Sequence, residues 1–310
     1  MSTVAILLSL YNGERFLAEQ VASYRTQTWT DWRLYWRDDG SSDGGRALMA
    51  ALSRDWPDRI EGPLMPGHLG VAGSFLALLR AALDGPADCF AFSDQDDVWL
   101  PEKLAHGVAA LAALPEGRPG LYFCRRALVD VALRPIGESP SLRRRPCFAS
   151  ALIQNVAPGC TLMLNRAAAR LVADSPPPED TWHDWWACLV VAAHDGAMLA
   201  GEGADILYRQ HGANAVGEGG PLRRCVAALA RVGGGEFFAR LRRHVDALRA
   251  LPGPLPRDNA RILTRIAGAL DGGIVDRIRA SRVPGLVRQS ALETAIFRIF
   301  FVAGAWRRTG

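Results

Sequence analysis

The first hundred residues alternate short, unbroken apolar runs with amphipathic stretches. "TVAILLSL" (3–10), "WRLYWR" (32–37) and "DCFAF" (88–92) have the length and the branched and aromatic content of buried strands. Between the first two, a helix is predicted from Glu14, with Phe16, Leu17, Val21 and Tyr24 on one face. A second helix is predicted from about Asp43, then a short segment near Ile60, then a helix through "AGSFLALLRAAL". Strands that are apolar on both sides need cover on both sides, so the alternation predicts an α/β fold, a mostly parallel sheet with helices on both faces. In such sheets ligands collect at the carboxyl ends of the strands. Three polar clusters fall there: "YNGE" after the first strand, "RDDGSSD" after the second and "SDQDD" after the strand near residue 90.

Pro101 is placed to open a helix, "PEKLAHGVAALAAL". From 118 to 165 the pattern is more broken, with "GLYFCRR", "LVDVAL" and "CTLMLN" as short strands and a Pro/Arg-rich loop, "SPSLRRRP", between them. A helix near Thr181, "TWHDWWACLVVAAHDG", leads to "AMLAGEGADILYRQHG". Beyond Gly217 the pattern is helical, broken at 233–235 and 252–256.

Composition narrows the class. A chain of 310 residues that is 49% hydrophobic can bury a large core. No stretch approaches the roughly 20 uncharged apolar residues of a membrane span, and the opening residues read as a strand, not a signal. Six cysteines without a CxxC pair suggest neither a zinc knuckle nor a disulfide framework, and a reducing cytoplasm is the expected location. Charge is uneven: residues 221–310 carry 17 Lys+Arg against 6 Asp+Glu, a net +11, and the remainder a net −7. Lys103 is the only lysine, so abundant arginine by itself argues little for nucleic acid, and no reading motif accompanies it. In "ALETAIFRIFFVAGAWRR", Ile296, Ile299, Phe300 and Phe301 cluster beside Arg298. Such a segment either docks on an anionic membrane surface or packs on the rest of the chain or a second subunit, and both readings stay open.

The acidic cluster raises the chemical question. Asp94, Asp96 and Asp97 repel one another and are costly to desolvate, which points to a cation, a metal ion first. The alternative is a cap for the helix at Pro101.

The series "LLSLYNGERFLAEQVASYRTQTWTDW", "RDDGSSD", "FSDQDDVWLPEKL", "NVAPGCTLMLNR", "HDWW" and "YRQHGANAVG" resembles, in this order, the family two glycosyltransferases, most closely their rhamnosyltransferase-type members. The resemblance covers residues 3 to 217. It implies a GT-A fold, with residues 1–115 as nucleotide-binding half, 116–217 as acceptor-binding half, and 218–310 as a basic helical C-terminal region. It also implies inverting transfer of a sugar from a nucleotide donor, with a divalent metal, Mg²⁺ or Mn²⁺, neutralising the leaving diphosphate.

By that resemblance, Ser9, Tyr11, Asp38, Asp39 and Asp94 bind nucleotide, Asp38 accepting from the pyrimidine imide N–H. Asp94, Asp96 and His211 hold the metal. Asp184 of "HDWW" is the general base that takes the acceptor proton. Asp97, Trp99, Gly159, Cys160, Trp185, Arg209 and Gln210 are expected to contact donor or acceptor, and Asn214 less directly. Asn12 and Glu14 read equally well as site or turn, and Trp182, Trp185 and Trp186 as sugar platform or helix core. His68 and Ser74 stand where many family members have asparagine, so donor identity transfers less securely than reaction class.

The resulting expectation is a cytoplasmic enzyme, with peripheral attachment to the inner membrane left open. Its expected partners are a dTDP or UDP sugar, best guess dTDP-rhamnose, and a saccharide or lipid-linked acceptor of a bacterial surface polysaccharide such as O-antigen; oligomerisation is left open. The rivals are a nucleotidyltransferase of similar fold, which would need a Gly-rich basic loop that "YNGERF" is not, and a glycoside hydrolase, which needs no nucleotide loop. A non-catalytic sugar-binding protein would need neither a base nor a metal set.

Overall fold

The computed structural model describes residues 2–211 and 235–304. Asn214, Cys225, the 217/218 boundary and the arginine pair at 307–308 lie outside the described residues.

The sequence folds into β1 (Val4–Leu10), α1 (Glu14–Arg25), β2 (Trp32–Asp38), α2 (Gly45–Asp55), β3 (Ile60–Glu61), α3 (Gly70–Leu83) and β4 (Cys89–Ser93), as the apolar pattern predicts. β5 (Val98–Trp99), α4 (Lys103–Ala112), β6 (Gly120–Val129) and β7 (Pro135–Glu138) follow. Then come α5 (Phe148–Ile153), a 3-10 turn at Gly159–Thr161, β8 (Leu162–Asn165), α6 (Arg166–Ala173), α7 (His183–Ala193) and β9 (Ala197–Arg209). Four C-terminal helices complete the described chain: α8 (Glu236–Ala250), α9 (Arg257–Asp271), α10 (Ile274–Ser281) and α11 (Ala291–Ala303).

One sheet runs β3-β2-β1-β4-β8-β6-β9-β5, with β7 added on β6. Its first four strands are parallel, as the apolar runs predict. Beyond β4 the sheet is mixed: β8 runs antiparallel to β4 and β6, β5 antiparallel to β9, and β6 pairs parallel with β9. β8 and β5 therefore run against the parallel set, while β6 and β9 share its direction.

Side-chain alternation divides the core between the two faces. Val4, Ile6, Leu8 and Leu10 of β1 point into the layer under α1, α2 and α4, while Ala5 and Leu7 point into the layer under α3, α6 and α7. The second layer continues without a break into the C-terminal helices through Phe237, Phe238, Phe297 and Phe301. Ile296 and Phe301 of the basic segment are buried, and Phe300 half-buried, in that shared core, whereas Ile299 is exposed. The described C-terminal helices therefore pack on the sheet domain, one of the two readings left open. Among the described residues no helix is long and apolar enough to cross a membrane.

Two helices escape the sequence reading. Phe148–Ile153 is buried on every side and so shows no amphipathic period. Arg166–Ala173 starts on Asn165, whose side chain accepts the Ala168 N–H. "GLYFCRR" and the start of "LVDVAL" form one continuous strand, and Asp130–Leu133 is the turn after it.

Candidate active site

The carboxyl ends of β1, β2 and β4 meet on one rim, and the three polar loops are tied to one another there. Gln95 exchanges two hydrogen bonds with the Tyr11 backbone, at 2.8 Å each. Asn12, at φ 51, takes the Ser42 N–H on its side chain and gives its own N–H to Ser41 Oγ. Glu14 accepts from Gly44 N–H, and its own N–H goes to Asp43. Asn12 and Glu14 thus act as loop ties, leaving Tyr11, half exposed, at the cleft with Ser9.

Behind them runs a buried polar network that centres on Arg37, a residue to which the sequence reading gave no role. Its guanidinium bonds the Asp39 carboxylate, Ser74 Oγ and the carbonyls of Met65 and Gly67. Ser74 Oγ lies 2.6 Å from Ser9 Oγ. Asp39 accepts N–H bonds from Leu69 and Gly70 and meets His68 Nδ1 at 3.0 Å. The pair is enclosed, and its hydrogen bonds satisfy both charges. Asp39 therefore positions the 67–70 loop, and His68 faces the Tyr11 ring at 5.9 Å. Asp38 caps the turn by accepting the Ser41 N–H.

The acidic loop splits its three carboxylates between environments. Asp94 faces the cleft; burial, then Asp96 and Asp184 nearby, push its carboxyl up to about 7. Asp96 Oδ2 lies 2.8 Å from His211 Nε2, and Phe16 packs on the His211 ring at 5.2 Å. Asp97 is fully buried and accepts the Arg209 N–H, and burial, then its two acidic neighbours, push its carboxyl well up. It is not among the residues that line the cleft, so it is not placed as the expected donor or acceptor contact.

Two further expectations are corrected by burial. Trp99 is 1% exposed, packed edge-on against Tyr24 with Lys103 Nζ over its ring at 3.7 Å, so it belongs to the core. Arg209, equally buried, bonds Glu19, the Asp96 carbonyl and the Val131 carbonyl. It clamps the acidic loop from behind and presents no guanidinium to a diphosphate. Gln210 continues β9 through its N–H to the Val129 carbonyl, away from the cleft lining.

Asp184 sits at the start of α7, 5% exposed and facing the same cleft. Its Oδ2 accepts the Gly159 N–H at 3.0 Å and its Oδ1 the Trp185 N–H at 2.6 Å. Burial pushes its carboxyl up to about 6, against these hydrogen bonds, which lower it. Gly159 has a steric reason as well: a Cβ there would overlap His183 Nε2. His183 stacks on Phe75 at 3.9 Å, and burial holds its imidazole neutral, down to about 3. Cys160 lies under the acidic loop with its thiol pushed well up by burial, so it is neither nucleophile nor thiolate ligand. Of the tryptophans, Trp186 is core, Trp185 is half-buried with its indole N–H on the Ala151 carbonyl, and Trp182 is exposed at the cleft.

The C-terminal region also lines the cleft, through Phe237 and Arg240 of α8 and Gln289 just before α11. The cleft encloses about 3040 Å³, well above the 300–1,000 Å³ of an ordinary small-ligand pocket, so it has room for two substrates together.

Residues 5–150 match the family model described as Glycosyl transferase family 2. The chain is 36% identical over 101 residues to an uncharacterized glycosyltransferase, alr2836, of Nostoc sp., covering 33% of this chain and 30% of that protein. It is 24% identical over 230 residues to the dTDP-rhamnosyl transferase RfbG of Shigella flexneri, covering 68% of this chain and 73% of that protein. It is 32% identical over 101 residues to the E. coli UDP-Glc:alpha-D-GlcNAc-diphosphoundecaprenol beta-1,3-glucosyltransferase WfgD, covering 33% and 38%. The chain spans about a third of the length of the first two curated relatives it matches. Among solved structures, S. aureus TarS 1–349 in complex with UDP-GlcNAc superposes with a TM-score of 0.54 at 14% identity, over 99% of this chain and 92% of that one. The mannosyltransferase PcManGT of Pyrobaculum calidifontis, in complex with GDP-Man and Mn²⁺, gives 0.53 at 16%, over 98% and 86%. These likenesses establish the shared GT-A fold.

Proposed function

We propose, from the match of residues 5–150 to the Glycosyl transferase family 2 model, a metal-dependent, inverting glycosyltransferase that moves a sugar from a nucleotide donor to a saccharide acceptor. The observation that carries this reading is that Asp94, Asp96 and Asp184 line one cleft, with His211 drawn onto Asp96 from a distant part of the chain.

The donor set fits a hard divalent cation. Asp96 meets His211, and Asp94, pushed up first by burial and then by the nearby Asp96 and Asp184 charges, lines the same cleft as Asp96. Asp94, Asp97 and Cys160 also offer atoms within 4.8 Å of one another, but the last two are enclosed and burial pushes both groups well up, which disfavours the deprotonated forms a metal needs. Asp94, Asp96 and His211 would hold Mg²⁺ or Mn²⁺, which supplies neutralising charge to the leaving diphosphate.

The remaining chemistry belongs to the side chains. Asp184, its carboxylate fixed by two backbone N–H groups, takes the proton of the acceptor hydroxyl as that oxygen attacks the face opposite the diphosphate. A base that titrates near 6 is ionised at neutral pH yet still basic enough for the task. Tyr11 and His68 flank the nucleotide base, with Ser9 and Asp38 beside it. Residues 1–115 take the donor, 116–217 the acceptor, and the C-terminal helices finish the acceptor wall.

For the donor we favour dTDP-rhamnose, in a surface-polysaccharide pathway at the cytoplasmic side of the membrane. The dTDP-rhamnosyl transferase RfbG, which aligns over two thirds of this chain, supports that choice. A thermal-shift titration with dTDP, UDP and GDP, each with and without Mn²⁺, tests the reading, because a ligand of the folded state raises the melting temperature. A Mn²⁺-dependent shift with dTDP is expected. No shift with any nucleotide from a folded sample would sink the transferase reading, and a shift with UDP or GDP alone would sink the donor.

A further inference from the structure

The Pro/Arg-rich loop "SPSLRRRP" is not used by the chemistry above, yet it lines the same cleft. Most arginines of that wall are already matched: Arg125 with Glu138 at 2.7 Å, Arg243 with Asp180 at 3.5 Å, Arg288 with Glu293 at 3.1 Å. Arg143 and Arg145 are different. Both are exposed, and among the described residues neither guanidinium meets a carboxylate. Arg144 between them commits one nitrogen to the Arg288 carbonyl.

The loop is nevertheless held in place. Gln289 Oε1 accepts the N–H groups of Arg143 and Arg144, its Nε2 donates to the Arg144 carbonyl, and its own N–H donates to Gln154 Oε1. Three consecutive arginines on a pinned backbone are a prepared anion site rather than a solvated charge run, since much of the ordering cost is met in folding. Their guanidinium donors outnumber what one carboxylate accepts and suit the several oxygens of a phosphate or diphosphate.

We propose that Arg143 and Arg145 bind a phosphate or diphosphate group carried by the acceptor, so that the acceptor is a phosphorylated saccharide rather than a neutral sugar. This rests on the transferase reading for the word acceptor; the anion site itself does not.

Calorimetry in EDTA, which removes the cation from the donor site, tests it with inorganic pyrophosphate, glucose 1-phosphate, farnesyl diphosphate and glucuronate. The phosphates are expected to bind the wild type, and the variant R143E/R145E to bind them about tenfold or more weakly, the loss of charge-assisted hydrogen bonds. Both substitutions are at exposed positions, and an unchanged Mn²⁺-dependent nucleotide shift verifies that the variant is folded. Farnesyl diphosphate binding above pyrophosphate assigns the group to a lipid carrier, and glucose 1-phosphate binding above it assigns the group to the saccharide; each supports the site. Absence of phosphate binding, equal binding by the variant, or glucuronate binding as tightly as glucose 1-phosphate overturns it. Loss of the nucleotide shift in the wild type would count against the transferase reading instead.

Discussion

His211 Nε2 and Asp96 Oδ2 lie 2.8 Å apart across 115 residues of chain. Both side chains are mostly buried, the imidazole N–H donates to the carboxylate, and each is a metal-ligand type once that proton is lost. A cation between them and Asp94 would relieve the like-charge repulsion in the loop. His211→Ala and Asp96→Ala are each expected to remove the Mn²⁺-dependent part of nucleotide binding. At a nucleotide concentration a hundredfold above the wild-type dissociation constant, that part is worth about 2.7 kcal/mol of stabilisation. Thermal shifts with and without Mn²⁺ read it directly; a variant with undiminished dependence would remove the residue from the metal set.

Asp184→Asn should separate binding from chemistry. Donor binding is retained, while transfer falls by roughly 10² to 10⁴, the usual weight of a general base. In the wild type kcat/KM should decline about tenfold per pH unit below about 6, because burial has raised the carboxyl there and only its ionised form accepts a proton. Wild-type transfer rates from the variant would refute the assignment.

The same shift has a sign for stability. The folded carboxyl keeps its proton up to about 6, whereas in the unfolded chain it is lost near about 3.9, so between those values the folded state binds more protons. This group's contribution to stability therefore falls as pH rises through that window. Asp184→Asn should lack that slope; denaturant melts from pH 4 to 7 compare the two, and parallel curves would contradict the raised value.

Gly159→Ala should damage the base without touching it. The new methyl meets His183, which cannot retreat because it is stacked on Phe75 and set edge-on to Phe92. The turn must shift, and with it the N–H that orients Asp184. A loss of about 1–3 kcal/mol is expected from overpacking, with kcat reduced more than the donor KM. Unchanged kcat would show that the Gly159 N–H is not needed to position the base.

Arg209→Lys should not be conservative. The guanidinium fork reaches Glu19 and the carbonyls of Asp96 and Val131 at once, which a single ammonium cannot. A destabilisation of about 2 kcal/mol or more is expected, together with weaker Mn²⁺-dependent nucleotide binding, since the clamp holds the Asp96 backbone. Retained stability would place the clamp elsewhere.

The parallel half of the fold was legible in the chain because its strands are buried on both faces, which leaves continuous apolar runs between polar carboxyl-end loops. The order of motifs likewise carried the family, the cleft-facing Asp94, Asp96 and Asp184, and the His211 partner. What the chain alone did not decide was direction. Along the stretch 96–99 successive side chains turn to opposite sides, so Asp96 meets His211 while Asp97 and Trp99 go into the core, although all belong to one motif. Arg37 and Arg209 look like surface charges in sequence, and only packing puts them inside, where hydrogen-bonded partners from distant segments satisfy them. α5 was invisible because a helix enclosed on every side has no polar face to give it a period. The C-terminal helices, readable only as basic and amphipathic, became a wall of the cleft because their phenylalanines found the core beside α5 and α7. Local apolar pattern determines which segments are strands and helices; the long-range burial that pairs them decides which charges are chemistry and which are scaffold.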